Sequence, residues 1–448
     1  MLLQKVRGDV IDMIGTIGII LAIIFIIYMS VKNYSILVIG PVASIIVILT
    51  NKLPFFDSLI GAKASYMTGL TDFIVSFFGV FILGALLAKF MDESGAAQSI
   101  AEKIVSKTGT NSPYAILIAI FIITAILTYG GISLYVVVFV LIPLAKPLFK
   151  QMDLAWNLIG IPVMLGLGTF TMTMLPGTPS VQNVVPTKYL GTSLTSAPLL
   201  GIVGTIVAIA FGLWYMKHAL NKSIAKGESF ADYDIEDHNM TSKEKTPNFI
   251  VSILPIVVLI IMNIIGSAMG IENIILISLT TSVILSALFF HNYIPVKKAV
   301  LNEGAANSLM PMFLTGSAIA FGTVITLAPG FETIRKLILD IPGSPLISLA
   351  VASALFGVIT GSASGSLGIV LQAFGKHYVD MGIDPEVIHR VATMSSSIFT
   401  VMPHTGFVLT FFALTGLTHK NGFKYLFITN TGANLLALIV VLLGVIIF

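Results

Sequence analysis

Four short segments of this sequence place hydroxyl, amide and glycine residues inside stretches that are otherwise apolar. They are Thr128–Ser133 (TYGGIS), Leu175–Asn183 (LPGTPSVQN), Thr360–Ser366 (TGSASGS) and Met402–Gly406 (MPHTG). A helix that stops and restarts at such a segment points unpaired N–H groups and the positive end of its dipole into the protein. That arrangement binds anions without a basic side chain, and the stopped helix offers carbonyls that suit a cation. The expected chemistry is the binding of a small hydroxylated carboxylate.

Side-chain donors and acceptors in these segments would complete such a site. They are Ser133, Thr178, Ser180, Gln182, Asn183, Ser362, Ser364, Ser366 and Thr405. The alternative is that small residues here only permit helix packing and kinks, as they often do in membrane helices. Four such segments in matching pairs favour a binding site over that alternative.

His404 is the only ionisable side chain within the four segments. A histidine can take up and release a proton near neutral pH, and ionisable groups inside membranes are functional candidates. Three roles remain open for it. It could carry a proton, contact the substrate, or stabilise the helix break as a neutral hydrogen-bonding group.

The elements that must position these residues occur twice along the chain. MLPGTP at 174–179 recurs as VMPHTG at 401–406, and SPYAIL at 112–117 recurs as SPLISL at 344–349. The offsets are 403 − 176 = 227 and 344 − 112 = 232, so two halves run in step. Matching Pro/Gly-broken apolar segments in two halves are typical of a transporter's binding site.

Composition places the chain in a bilayer. It is 56% hydrophobic and 10% charged, against about 25% charged in soluble domains, and its mean hydropathy is +0.99. We predict an all-α polytopic membrane protein with two inverted-topology repeats, each with five spans, a re-entrant helical hairpin and a broken helix. The predicted parts are repeat 1–216 with hairpin 113–149 and broken helix 154–190, a hydrophilic cytoplasmic linker 217–247, and repeat 248–448 with hairpin 345–378 and broken helix 385–415.

The distribution of basic residues predicts the orientation. Five spans per half require the second half to be inserted upside down. The face that carries the linker holds more Lys and Arg and is expected to be cytoplasmic. Both termini and Arg390 are then expected on the outer face, with the first hairpin entering from the cytoplasm. The amphipathic segments 96–107 and 331–340, which precede the hairpins, are expected either to lie along the membrane surface or to brace the moving part of the protein.

The sequence also excludes classes of protein. It has no cysteine, so disulfides and thiolate metal sites are absent. It carries no HExxH, GxxxxGK[ST] or GxSxG motif and no paired catalytic acids in the spans, so we expect no enzyme, cofactor or metal centre. The net charge of +3 is mild and predicts no nucleic-acid partner. Transport would draw on an ion gradient rather than on ATP.

The segments GGISLY, PGTPSVQN, GSASGS and MPHTG, in this order along the chain, resemble the gluconate:proton symporter family of the ion transporter superfamily. The resemblance covers nearly the whole chain and is strongest at PGTPSVQN and MPHTG. It implies inverted repeats, two re-entrant hairpins, two unwound helices, a homodimer and the inner membrane of a bacterium. It also implies import of gluconate, a related sugar acid or another small hydroxy acid, with protons and by elevator-type alternating access.

The same resemblance implies where substrate and ion bind, namely at the hairpin tips and helix breaks. On this chain these are Gly130, Gly131, Ser133, Thr178, Ser180, Asn183, Ser362, Ser364, Gly365, Ser366, His404 and Thr405. The tips lack the Ser-Asn-Thr triplets of the sodium-coupled dicarboxylate branch, which favours protons over sodium. One alternative is a sodium-coupled carboxylate symporter. A second alternative, which the sequence favours less, is an anion channel.

Overall fold

The computed structural model describes residues 2–32, 34–108, 112–132, 134–233, 245–403 and 405–447. These residues form helices joined by turns, with no strand among them. Ser133 and His404, two of the predicted site residues, lie outside the described residues. The all-α fold predicted from the sequence is confirmed for the described part of the chain.

The first half contains eleven helices within its described residues, together with a 3₁₀ turn at Trp156–Ile159. They are α1 (Leu2–Val31), α2 (Ile36–Thr50), α3 (Phe55–Ile60), α4 (Tyr66–Glu93), α5 (Ala96–Thr108), α6 (Pro113–Tyr129), α7 (Leu134–Gln151), α8 (Gly160–Leu167), α9 (Phe170–Thr173), α10 (Val181–Leu190) and α11 (Pro198–Ala225).

The second half follows a short 3₁₀ turn at Phe230–Asp232 and includes a π-helical turn at Leu371–Gly375. Its helices are α12 (Phe249–Ala268), α13 (Ile274–Phe289), α14 (Lys297–Leu327), α15 (Phe331–Leu339), α16 (Pro345–Thr360), α17 (Ala363–Val370), α18 (Lys376–Asp380), α19 (Pro385–Ser396), α20 (Gly406–Thr415) and α21 (Phe423–Ile447).

Six helical stretches among the described residues are long and apolar enough to cross a bilayer. They are Tyr66–Glu93, Trp156–Thr173, Pro198–Ala225, Phe249–Gly266, Lys297–Leu327 and Phe423–Ile447. Further apolar helices of 10–17 residues accompany them, including α6 and α16. Large apolar side chains such as Leu199, Ile206 and Ile250 are exposed on the outer helices, as expected where helices face lipid.

Matching residues begin and end the matching helices of the two halves. Ser112 and Ser344 are the N-caps of α6 and α16, and each is followed by proline at the first helical position, where a missing N–H costs nothing. The ten-residue helices α10 and α20 both end at a glycine with positive φ, Gly191 and Gly416. Local chemistry therefore sets the same boundaries twice.

Helix packing follows the same pattern in both halves. α1 packs on α2 as α12 packs on α13, α5 packs on α6 as α15 packs on α16, and α4 packs along α14 between the halves. After the breaks the halves exchange partners, because α10 lies against α17 while α20 lies against α7. The two post-break helices are thus each held by the opposite half.

The centre of the molecule is formed by the helices around the breaks. All residues of α8 and α17 are buried, as are residues 388–396 of α19. Three predicted site residues, Ser364, Gly365 and Ser366, lie on α17 and therefore in this enclosed part of the fold.

The predicted hydrophilic linker, 217–247, overlaps the end of α11. α11 continues to Ala225 and has 28 residues, more than the roughly 20 that cross a bilayer. Lys217–Ala225 is therefore a helical extension of a span, and no proline or glycine within it ends the helix. Beyond it the chain folds back, with the backbone N of Phe230 donating to Asp153 Oδ1 at 3.0 Å.

Candidate functional site

The turn between α6 and α7 contacts the first helix break. The Gly130 N–H donates to the Ile126 carbonyl at 3.0 Å and closes α6. Gly131 has φ +82°, a conformation that side-chain-bearing residues rarely adopt, and a Cβ there would lie 3.0 Å from Pro179 Cγ. The Tyr129 hydroxyl donates to the Pro176 carbonyl at 2.7 Å. The structure thus brings Gly130 and Gly131 next to the predicted PGTPS segment.

The first break runs from the end of α9 to the start of α10. Ser180 is the N-cap of α10: its Oγ accepts from the Asn183 N–H at 3.3 Å and donates to the Met172 carbonyl. Thr178 is fully buried, and its Oγ1 accepts from the Ser180 N–H at 3.4 Å. A capped helix start inside the protein is the arrangement that the sequence predicted for an anion site.

The Asn183 side chain is fully buried and hydrogen-bonded at both ends. Its Nδ2 donates to the carbonyls of Thr178 at 3.0 Å and Leu194 at 2.8 Å. Its Oδ1 accepts from His389 Nε2 at 3.1 Å and lies 3.4 Å from Arg390 Nη1. In this conformation Asn183 connects protein groups, and a direct role in substrate contact stays a prediction.

The second turn, between α16 and α17, repeats the capped helix start. Gly361 has φ +61°, and Ser362 Oγ accepts from the Gly365 N–H at 3.3 Å as the N-cap of α17. Ser364 is 7% exposed, and its Oγ lies 3.1 Å from Ser362 Oγ. Ser366 points elsewhere: its Oγ donates to the Ser353 carbonyl at 2.6 Å and ties α17 to α16. A Cβ on Gly365 would lie 3.1 Å from Ala318 Cβ, so the tip packs closely against α14.

The second break, between α19 and α20, has its carbonyls taken by the last helix. Asn430 Nδ2 donates to the carbonyls of Ser397 at 2.9 Å and Ile398 at 3.2 Å, and Thr431 Oγ1 donates to Ile398 at 2.9 Å. Thr405 is buried at the N-cap position of α20, with its Oγ1 donating to the Met402 carbonyl at 3.0 Å. In this conformation the Ser397 and Ile398 carbonyls therefore accept from side-chain donors, and a cation at this break stays a prediction.

Two ionisable residues that the sequence analysis did not select lie at the first break. His389 and Arg390, on α19, are both fully buried. His389 Nδ1 lies 2.8 Å from the Thr192 hydroxyl, and Arg390 donates from Nη1 to the Thr173 carbonyl at 2.9 Å and from Nη2 to the Ser196 carbonyl at 2.7 Å. Arg390, which the distribution of basic residues predicts on the outer face, is buried, and its guanidinium binds carbonyls of the first half inside the protein.

A signal for this pair was present in the sequence. Residues 388–396 read IHRVATMSS, a stretch whose small and apolar residues are typical of a buried helix. Two basic residues within such a stretch need buried partners. The partners of Arg390 are backbone carbonyls about two hundred residues away, and those of His389 are the side chains of Thr192 and Asn183, so no local pattern predicts them.

An open cleft of about 930 Å³ lies elsewhere, between α5, α6 and α12. Glu102, Lys103, Lys107 and Phe249 are among its lining residues, and none of the ten predicted site residues that the structure describes lines it. The turns and breaks are closely packed in this conformation. Binding at these segments therefore requires the turns or the post-break helices to move apart.

Comparison with known proteins agrees with this architecture. The chain is 32% identical to the uncharacterized transporter YxjC of Bacillus subtilis (strain 168) over 455 residues, covering 91% of this chain and 94% of the relative. It is 26% identical to a gluconate permease of Bacillus licheniformis over 404 residues, covering 83% and 86% respectively. These relatives are named as transporters and permeases, not as enzymes.

A solved structure shares the fold. The YdaH transporter of Alcanivorax borkumensis superimposes with a TM-score of 0.56 at 17% sequence identity, covering 85% of this chain and 88% of the other. The family model described as GntP family permease matches residues 11–447. This multi-pass membrane protein therefore belongs to the GntP permease family.

Proposed function

We propose that this protein imports a small hydroxy-carboxylate, such as gluconate or a related sugar acid, by proton symport across the inner membrane of a bacterium. The observation that carries the proposal is the pair of serine-capped helix starts, at Ser180 and Ser362, buried in the centre of a permease fold. The gluconate permease among the relatives supports the substrate class.

The capped starts supply the chemistry for a carboxylate. The first four N–H groups of a helix have no partner within the helix, and the cap serine satisfies one of them. The remaining groups and the positive dipole end favour a negative charge. Ser364 and Thr178 add hydroxyls beside the two starts and suit the hydroxyl groups of the ligand.

Movement is proposed to follow an elevator mechanism within a homodimer. The turns and the post-break helices form one connected unit. α10 contacts α17 and α19, and α20 contacts α7. The matched packing of the two halves supports two inverted repeats with re-entrant hairpins. Because the hairpin tips sit on the breaks, shifting this unit relative to α4 and α14 would carry the bound substrate with it.

Proton coupling is assigned to His404, as the ionisable group of the second break. If it titrates, the proton binds at the second break while the substrate anion binds at the capped helix starts of α10 and α17, and the two travel together. Sodium coupling is the second candidate mechanism. An anion channel would use the same helix starts but would not concentrate its substrate.

The test is uptake of radiolabelled gluconate by purified full-length protein in liposomes. We expect saturable accumulation driven by an imposed pH gradient, inside alkaline, without sodium. Accumulation that requires a sodium gradient would show that the coupling ion is sodium and not the proton. Ohmic current without accumulation would indicate a channel. Absence of gluconate binding and uptake, with a related sugar acid transported instead, would narrow the substrate class.

The coupling residue is tested in the same liposomes with His404→Gln, which keeps hydrogen-bonding capacity and cannot titrate near neutral pH. Gradient-driven accumulation should collapse while exchange of internal for external substrate continues, because exchange needs no net proton movement. His291→Gln, at an exposed histidine, is the matched control and should leave both activities intact. Accumulation that survives His404→Gln would exclude His404 as the proton carrier.

A further inference from the structure

The guanidinium of Arg390 is surrounded by neutral oxygens from the first half. Its contacts are the Thr173 carbonyl at 2.9 Å, the Ser196 carbonyl at 2.7 Å and Asn183 Oδ1 at 3.4 Å. Arg390 is 0% exposed. No carboxylate among the described residues forms an ion pair with it, and the nearest acid along α19, exposed Glu386, instead accepts from the Ala197 N–H at 2.8 Å.

Glu386, one turn earlier on α19, favours the charge of Arg390 without a hydrogen bond to it. A buried positive charge that lacks a hydrogen-bonded carboxylate is still costly unless it has another compensation. Here the compensation comes from the break itself. Thr173 is the last residue of α9, so its carbonyl has no partner within the helix. Carbonyl and amide oxygens that converge in this way are the donor set that membrane transporters use for a small cation at a broken helix.

From this geometry we infer that Arg390 is a tethered cation that fills the cation position of the first break, so that no metal cation is needed there. The oxygens bind the guanidinium of the protein's own α19 in place of an ion from solution. The inference bears on the proposed function by removing one place where sodium could couple to transport.

The second break is consistent with this assignment. Its carbonyls at Ser397 and Ile398 accept hydrogen bonds from Asn430 and Thr431, as described above. Both breaks therefore satisfy these carbonyls with side chains from a distant part of the chain. Only the first does so with a charged group.

The experiment measures thermal unfolding of the purified full-length protein in NaCl, LiCl, KCl and choline chloride at equal ionic strength. Wild type and Arg390→Lys, which retain a tethered charge, should have midpoints that do not depend on the cation. Arg390→Ala should unfold at a lower temperature in choline chloride and recover in NaCl or LiCl. The recovery should be roughly 2 °C once the salt reaches about ten times its dissociation constant.

The matched control is Arg335→Gln on α15, where Arg335 pairs with Glu332 at 3.2 Å near the surface. Its midpoint should be the same in all four salts. An Arg390→Ala midpoint that is lowered equally in all four salts would overturn the inference and leave Arg390 as a structural clamp. If Arg390→Ala does not fold, Arg390→Gln, which keeps an amide donor but no charge, is measured with the same expectations. Unfolding involves no substrate, so failure here is distinguishable from failure of the proposed transport.

Discussion

His389 Nε2 lies 3.1 Å from Asn183 Oδ1, and this contact joins α19 of the second half to α10 of the first. The direction of the bond follows from the other end of the amide. Because Asn183 Nδ2 donates to two carbonyls, its Oδ1 can only accept, and His389 must carry a hydrogen on Nε2. His389 Nδ1 then faces the half-exposed Thr192 hydroxyl, which can donate to it.

The first prediction is that His389→Ala destabilises the protein more than His389→Gln. Alanine leaves the Thr192 hydroxyl without this partner and leaves Asn183 Oδ1 with only the long contact to Arg390. Each buried polar group left unpaired costs roughly 1–3 kcal/mol of unfolding free energy. Glutamine can still donate to Asn183. Thermal unfolding in detergent measures the difference, and equal midpoints for the two variants would show that the hydrogen bond to Asn183 contributes nothing.

The second prediction separates ligand binding from packing at the second turn. Ser364→Ala should raise the apparent Km for the substrate about ten- to a hundred-fold, because a hydrogen bond to a charged ligand contributes roughly 1.5–3 kcal/mol. Its unfolding midpoint should change little. Ser366→Ala is the control: it loses the bond to Ser353 and should lower the midpoint with little effect on Km. The opposite assignment of the two effects would move the substrate away from Ser364.

A third prediction concerns the contact between the first turn and the first break. Gly131→Ala and Gly416→Ala both place a side chain at positive φ, which costs roughly 1–2 kcal/mol in stability. Only Gly131 faces Pro179, whereas a Cβ at Gly416 meets nothing within 4 Å. Uptake should therefore fall for Gly131→Ala and persist for Gly416→Ala. Similar uptake by both variants would mean that the turn does not need to sit against Pro179.

The fourth prediction tests the inverted repeats. The chain has no native cysteine, so single cysteines at Leu134 and Ser362 are the sole targets of a thiol reagent. Both residues are half-buried at the two turns. We expect the first to be labelled by a membrane-impermeant reagent from the cytoplasmic side and the second from the outside. Labelling of both from one side, in right-side-out and inverted vesicles alike, would contradict inverted hairpins.

The sequence predicted the places where helices stop because those stops are local chemistry. Proline lacks an N–H, glycine accepts positive φ, and serine caps a restarting helix. The segments LPGTPSVQN and TGSASGS therefore predict the ends of α9 and α16 without any tertiary information. The helical form of the first linker residues could not be predicted, for the converse reason. Residues 217–225 are hydrophilic but contain no helix-ending residue, so α11 simply continues through them.

The surroundings of Arg390 and the fate of the break carbonyls could not be predicted in the same way. A basic residue is ordinarily exposed, and counting it toward the charge of an outer loop follows that rule. Its partners are backbone carbonyls at Thr173 and Ser196, and every residue type has a carbonyl. The types of the residues Thr173 and Ser196 therefore do not predict that their carbonyls bind Arg390. Asn430 was missed for the same reason, since its partners are also carbonyls.

The role of Asn430 also sets an order for biosynthesis. The ribosome makes α21 after the other twenty helices of this structure, yet Asn430 donates to the carbonyls of Ser397 and Ile398, and Asn434 Nδ2 reaches the Gly168 carbonyl at 3.4 Å in the first half. Until α21 enters the bilayer, these carbonyls lack their donors in a setting where water is scarce. A nascent chain that stops before residue 423 therefore exposes buried carbonyls that have no hydrogen-bond donor. We expect such a chain to be held by the insertion machinery or degraded by membrane proteases.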